Sequence, residues 1–571
     1  MSGGEPAGVA ATSTTVPLRH RLGLAGYLLA YCLAVAPAFL VPERAPLFGV
    51  FLLLVVLYVL PMALVADSIS TPVAQSLLVA TTFLAMLIVV DPIEPGLFGS
   101  DAYNILADAR LFSTYRGPIS AFIVDSQERP LFFVLVETLR LLTATPLPAI
   151  GKYLPLITLT LPLLFYYALA QFTSARTALL SAFGLASVRT FLLVETQFIN
   201  ETLAVVILFA MLAVAATVRR VVPAVFLLAL FSVSLALTHH LTAAIGTLLF
   251  AVWAVTVYLS RLSRWAPSVL RRLLPVPDDN PWLVGPLEAA AVVTGGGFLG
   301  TYLLVEPGTL RTLLTSAVDV LVFESTPTTS SGAVASGVGG AGSAVRTLLS
   351  SFGAVALLVV FALIGAWTIL SRYENESWET AWVVVAGVLS LAYVTFLVRG
   401  RLVWLDPSRF LIFLIPLLLG VVVKVVRGDA TDGTRTAIAV GLVALLVLTQ
   451  LAAIPSYVLH SDPDRAALAQ NHQPESTFRA GGWVAEYGRG RTVGWQGVIW
   501  QHGPDKSYVS YDDFDGDCGD GAYLVWRDAA RYSLGVQPGT VHGGHSTVYD
   551  NGKVRLARCV GQSGLNARAV R

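Results

Sequence analysis

Thirteen apolar runs, each close to the roughly 20 residues a helix needs to cross a bilayer, constrain this 571-residue chain more than any other feature. They cover residues 22-41, 45-65, 76-90, 153-172, 177-195, 202-218, 222-237, 241-260, 283-305, 349-370, 381-398, 409-426 and 436-459. In hydrocarbon every backbone N–H and C=O must find its partner inside the protein, so runs of this kind fold as helices. A polytopic α-helical membrane protein of about 13 transmembrane helices is therefore expected. Only 13% of the residues are charged, against about 25% in soluble proteins. The formal net charge of +1 offers no counterpart to a polyanion, so no nucleic-acid partner is expected.

Arginine placement sets the expected orientation, because short cytoplasmic loops are enriched in Lys and Arg. Arg19, Arg21, Arg176, Arg219, Arg220, Arg261, Arg264, Arg271 and Arg272 all fall inside only if residues 129-147, RPLFFVLVETLRLLTATPL, do not cross. Glu137 and Arg140 stand three residues apart there, close enough to pair on one helix face and costly at mid-bilayer. That segment is read as an amphipathic helix in the outer interface, with a conventional span and a misjudged neighbouring run as the alternative. The expected layout is a cytoplasmic arm over 1-21, a membrane domain over 22-459 with outer loops 91-152 and 306-348, and an extracytoplasmic tail over 460-571. The arm reads as leading into an uncleaved first helix at the cell membrane. The second loop carries ESTPTTSSGAVASGVGGAGSAV, which has too little apolar content to bury a core.

The tail is Gly-rich and aromatic, with strand-like runs AYLVW at 522-526 and VRLAR at 554-558, the latter after the turn signal Asp550-Asn551-Gly552. It predicts a small α/β or mostly β domain. Of three cysteines, Cys32 lies in the first run, while Cys518 and Cys559 share the tail and are disulfide candidates in an oxidising compartment.

The first outer loop is richest in chemistry: DPIEPGLFGSDAYNILADARLFSTYRGPISAFIVDSQERP. A helix from Asp101 to Phe112 puts Asp101, Asn104 and Asp108 on one stripe at about 100° per residue. Ala102, Ile105, Leu106, Ala109 and Phe112 form the apolar face beside it, as for a helix lying on the membrane surface. A solvated amphipathic helix is the plainer reading. Glu195, Asn200 and Glu201 fall in a later outer turn; Glu201 opens the returning helix, where the dipole alone favours an acid. Thr238-His239-His240-Leu241-Thr242 joins two apolar runs, and a His pair in such a place costs free energy unless bonded or liganded; capping a helix end would satisfy it too. Arg399, Arg401 and Arg409 stand on the expected outer side against the positive-inside bias, and a guanidinium fork suits a phosphate.

These stretches resemble the GT-C membrane glycosyltransferases: protein O-mannosyltransferases, aminoarabinose transferases and oligosaccharyltransferase catalytic subunits. The resemblance lies in an acidic residue opening a juxtamembrane helix at Asp101, an aromatic two residues on, Gly117, and Glu128-Arg129-Pro130-Leu131 leading an apolar helix. SRFLIFLIPLLLG, beginning at Ser408, is similar to the helix start where an arginine of that family meets the lipid-carrier phosphate. The resemblance implies a sugar donor on a polyisoprenyl phosphate, a glycan, lipid or protein acceptor at the outer face, and surrounding membrane lipids. It implies Asp101 as the catalytic carboxylate, with Asp108 and Glu201 as further catalytic candidates. Arg409, Arg129, His239 and His240 are the phosphate- or substrate-binding candidates. The resemblance fixes no cofactor, and a divalent cation, Mg or Mn, with His239 and Glu201 as its candidate ligands, is the open case. The family's Asp-Glu pair reads Asp101-Ala102 here, and the oligosaccharyltransferase motif WWDYG is absent, its nearest match being Trp483-Val-Ala-Glu486-Tyr487-Gly488. A transporter or lipid flippase with an outer accessory domain is the competing expectation.

Overall fold

The computed structural model describes residues 71–90, 97–99, 101–119, 122, 129–172, 174–187, 189–218, 220–262, 284–305, 377–399 and 408–427, a few isolated positions, and five short strands in the tail. Runs 22-41, 45-65 and 436-459, nearly all of 349-370, the arm 1-21, the loop 306-348 and Cys518 lie outside the described residues.

The remaining apolar runs are helices. With the helices of the first outer loop included, the described helices are α1 (Thr71–Val90), α2 (Asp101–Thr114), α3 (Pro130–Thr143), α4 (Leu147–Tyr153), α5 (Thr160–Ala170), α6 (Ala175–Ser187), α7 (Arg189–Glu195), α8 (Asn200–Thr217), α9 (Val221–Ala236), α10 (His240–Leu262), α11 (Val284–Val305), α12 (Ser377–Arg399) and α13 (Ser408–Arg427). Among the described residues, Leu147–Ala170, Asn200–Thr217 and His240–Leu259 are long and apolar enough to cross a membrane by length and composition.

Two boundaries differ from the hydropathy reading. The run at 153-172 starts earlier, because α4, a 3₁₀ turn over Leu154–Leu159 and α5 form one continuous helical rod. Pro155 explains the change of winding, since it has no N–H for the carbonyl four residues back. The run at 177-195 is divided between α6 and α7.

Helix α8 packs on α5 and α9, α11 on α9 and α10, and α12 bridges α10 and α13. Their shared core includes Phe165, Phe183, Met211, Phe250, Trp253 and Leu414. Helices α12 and α13 approach closely at Gly420, where a Cβ would run into the Trp382 indole.

A second core gathers the loop helices. The apolar face of α2, Ala102, Ile105, Leu106 and Ala109, is buried against Phe122, Phe132, Phe133, Val136 and Ile150. Phe112 stacks near Phe133 with centroids 6.0 Å apart and meets Phe122 edge-on at 5.0 Å. The periodicity is as expected, but this face is spent on α3, α4 and Phe198 rather than on lipid, because aromatic side chains of the same loop reach it first. Helix α3 is too short to cross a bilayer alone. In it Arg140 donates from Nε and Nη2 to Glu137 at 2.7 and 2.6 Å, the pairing expected from their spacing. That pair holds the Glu137 carboxyl below its usual range.

In the tail, five strands, β1 (Thr492–Gly494), β2 (Tyr508–Ser510), β3 (Tyr523–Arg527), β4 (Gly544–Asp550) and β5 (Val554–Val560), form one sheet in the order β2-β1-β3-β5-β4. The β1 pairs are parallel; β3 with β5 and β4 with β5 are antiparallel. Both strand-like runs are therefore strands, and Asp550 of the turn signal ends β4, while residues 551–553 lie outside the described residues. Cys559 pairs in register with His545.

Candidate functional site

The site starts at a backbone crossing between two loops. Gly99 has φ +93°, a conformation L side chains rarely adopt, and a Cβ there would collide with the Gln197 side chain. The segment entering α2 is thus held against the turn between α7 and α8. The Tyr103 hydroxyl anchors the same segment by accepting the Leu97 N–H at 2.8 Å. Asp101 is the first residue of α2; its side chain lies outside the described residues, as do those of Arg409 at the start of α13 and Cys559.

That turn carries two buried acids. Glu195, ending α7, is 0% exposed, and Glu201, in the first turn of α8, is 1% exposed. The two lie near enough for their charges to interact. Neither carboxylate oxygen of Glu195 accepts a hydrogen bond among the described residues, although its backbone carbonyl accepts the Thr158 hydroxyl at 3.1 Å. The turn itself is rigid: Gln197 N–H donates to the Val194 carbonyl at 3.1 Å, and the Gln197 carbonyl receives Ile199 N–H at 3.0 Å and the Thr202 hydroxyl at 2.9 Å.

Arg129 stands at the N-cap of α3 and is 2% exposed. A helix N-terminus repels a cation and attracts an anion, so burying an arginine there suits an anionic neighbour. Pro130 at the first helical position has no N–H, and the next amide, Leu131, donates across to the Leu237 carbonyl at 3.1 Å. This bond ties Arg129 to the end of α9 and hence to the His pair. His239 is 3% exposed, with Nδ1 2.8 Å from the Thr242 hydroxyl and 3.4 Å from the Thr242 amide, which donates to it. It caps α10, the plainer of the two expectations. His240 opens α10 with its ring 5.0 Å from that of His239.

Lys152 is buried in α4. Its neighbour Gly151 faces Leu97 and Phe198, and Phe198 packs on Phe132 at 5.1 Å. Among the described residues, the buried acidic, basic and histidine side chains are Arg129, Lys152, Glu195, Glu201 and His239, and all lie on this group of linked segments. Glu195 and Lys152 were not among the site candidates drawn from the sequence. The signal for Lys152 was its rarity, as one of four lysines in the chain, set between apolar residues.

Asp108 lies seven residues along α2 from Asp101, about 10 Å of helix. Burial pushes its carboxyl up to about 7, and burial also lowers the Arg110 guanidinium. As for a metal, no three His, Cys, Asp or Glu side chains come together among the described residues, and the Nδ1 atom of His239 is committed to its cap. The described residues do not by themselves make up a divalent-cation set, and the chemistry below takes no step through one.

No protein-family model matches the chain, and no curated protein sequence does. Solved structures similar in layout include the Archaeoglobus fulgidus oligosaccharyltransferase tethered to an acceptor peptide containing the NVT sequon, 12% identical, covering 86% of this chain and 74% of that one, with a TM-score of 0.46. Archaeal oligosaccharyltransferase AglB from the same organism, in complex with an inhibitory peptide and a dolichol-phosphate, has the same identity and coverage and a TM-score of 0.45. The complex of the A. fulgidus oligosaccharyltransferase with Zn and sulfate is 13% identical over 85% of this chain and 73% of that one, with a TM-score of 0.44. Likeness of this degree leaves function to be argued from the residues.

Proposed function

We propose that the chain is an integral-membrane glycosyltransferase that moves a sugar from a polyisoprenyl-phosphate donor to an acceptor at the outer membrane face. The observation that supports this reading is the gathering, among the described residues, of the buried acidic, basic and histidine side chains beside the loop that opens α2, where a sugar held at the membrane boundary would meet a soluble acceptor. A transport pathway would instead distribute such groups through the depth of the bundle.

In this reading Asp101 accepts the proton of the acceptor hydroxyl as its oxygen attacks the anomeric carbon. The bond from that carbon to the phosphate oxygen breaks, and the phosphate leaves on its lipid without needing a proton. Attack opposite the leaving group inverts the anomeric centre. Arg129 at the positive end of α3, with Arg409, offsets the charge that builds on the phosphate. His239 holds the start of α10 in place, and the turn between Glu195 and Glu201 carries Gln197, against which the α2 loop rests. Asp108, whose carboxyl is pushed up to about 7 by burial, is a further acid–base candidate on the same helix.

The test is transfer from a polyprenyl-phosphate sugar by purified protein carrying Asp101→Asn, an isosteric change that removes only the base. Loss of about 10²-fold or more is expected. Transfer at the wild-type rate would remove Asp101 from the mechanism.

A further inference from the structure

The far end of α2, about 20 Å from Asp101 by helix length, opens on a cleft of about 590 Å³ that the reaction above leaves unused. Its walls are the C-terminal ends of α2 and α3 and the start of α4: Ser113, Thr114, Arg140, Thr145, Pro146 and Leu147. Several hydroxyls here already donate their protons to helix carbonyls. Ser113 donates to the Arg110 carbonyl at 2.8 Å and Thr114 to that of Leu111 at 3.1 Å, so their lone pairs remain to accept. Two helix C-termini bring partial negative charge to the walls. Arg140 is matched in charge by Glu137 through Nε and Nη2, which leaves the Nη1 edge of the fork to donate. Pro146 and Leu147 add an apolar surface.

An anion would find no excess positive charge in this cleft. A bare cation would meet the guanidinium. A neutral molecule that both donates and accepts hydrogen bonds, and has C–H faces to set against Pro146 and Leu147, matches all four observations. We infer that this cleft is a carbohydrate subsite, which binds sugar units of the donor or the acceptor away from the reacting bond. The inference rests on the transferase reading and adds a second sugar contact to it.

The test uses the full chain in lipid nanodiscs with fluorescently tagged mannotetraose and chitotetraose, followed by anisotropy. At least one should bind, be displaced by the untagged sugar, and be unaffected by inorganic phosphate. Thr114→Val with Thr145→Val keeps shape and removes two hydroxyls; it should weaken binding about tenfold with an unchanged melting temperature. Failure of both sugars to bind, displacement by phosphate, or wild-type binding by the double variant would overturn the subsite. In a transfer assay the same variant should raise KM for the donor if the donor's glycan occupies the cleft, or for the acceptor if the acceptor's does; no change in either overturns the role. Sugar binding by protein that never transfers would keep the subsite and overturn the transferase reading instead.

Discussion

Replacing Gly99 by alanine tests the crossing on which the site depends. At φ +93° an alanine costs about 1–2 kcal/mol in backbone strain. Its methyl group also meets the Gln197 side chain, and displacing that side chain from its rotamer costs about 0.5–1.5 kcal/mol. The Gln197 backbone cannot retreat, because its N–H and carbonyl are engaged by Val194, Ile199 and Thr202. Leu97 is pinned by Tyr103, so the displacement passes toward Asp101. A total of roughly 2–3 kcal/mol of stability should be lost, and a shift of about 1 Å in Asp101 would cost on the order of 10²-fold in transfer. Thermal melting and transfer rate should be measured together for Gly99→Ala, Gln197→Ala and the double variant. The double variant should recover the collision component, about 1 kcal/mol, while the strain remains. If Gly99→Ala melts and transfers like wild type, or if Gln197→Ala rescues nothing, the two loops are not held together as argued.

Three further outcomes follow from the same geometry. The folded chain keeps the Asp108 proton up to about 7 whereas the ordinary value is 3.8, so this carboxyl's contribution to stability is complete below pH 3.8 and is lost as pH rises through 7; Asp108→Asn should melt increasingly above wild type across that window, by at most roughly 4 kcal/mol, and parallel melting curves would refute the burial. His239→Ala should cost about 1 kcal/mol through the lost cap, whereas His239→Asn should keep stability; transfer that survives in the Asn variant would assign His239 to capping alone. Ala144, the C-cap of α3 at φ 53°, should gain about 0.5–1 kcal/mol on change to glycine, and a destabilised variant would show that the left-handed conformation is not strained.

The parts of this molecule that depend on local pattern were legible in the sequence. Hydropathy located the apolar helices among the described residues, because in hydrocarbon such runs satisfy their backbone groups as helices. A 3.6-residue period gave the buried face of α2 and the Glu137–Arg140 pair. Periodicity names a face but not its partner, so the sequence sets the face of α2 against lipid, whereas Phe132, Phe133 and Phe198 cover it. The proximity of Arg129 to the His pair was beyond reach, since it depends on a single amide-to-carbonyl bond between Leu131 and Leu237 across more than a hundred residues of chain. Glu195 was visible as an acid in a turn, but not its complete burial, which comes from helices packing around it.

The Leu131–Leu237 bond has one more consequence, for the way such a chain can vary. The start of one helix and the end of another each supply what the other lacks, an acceptor for a stranded donor and a donor for a stranded acceptor. Lengthening α9 by one residue would rotate its last carbonyl by about 100° and break the match. Insertions should therefore be tolerated in the stretch before Arg129 and purged between Val233 and Thr242, so that divergent copies of this gene would differ in the length of the loop while keeping this join in phase.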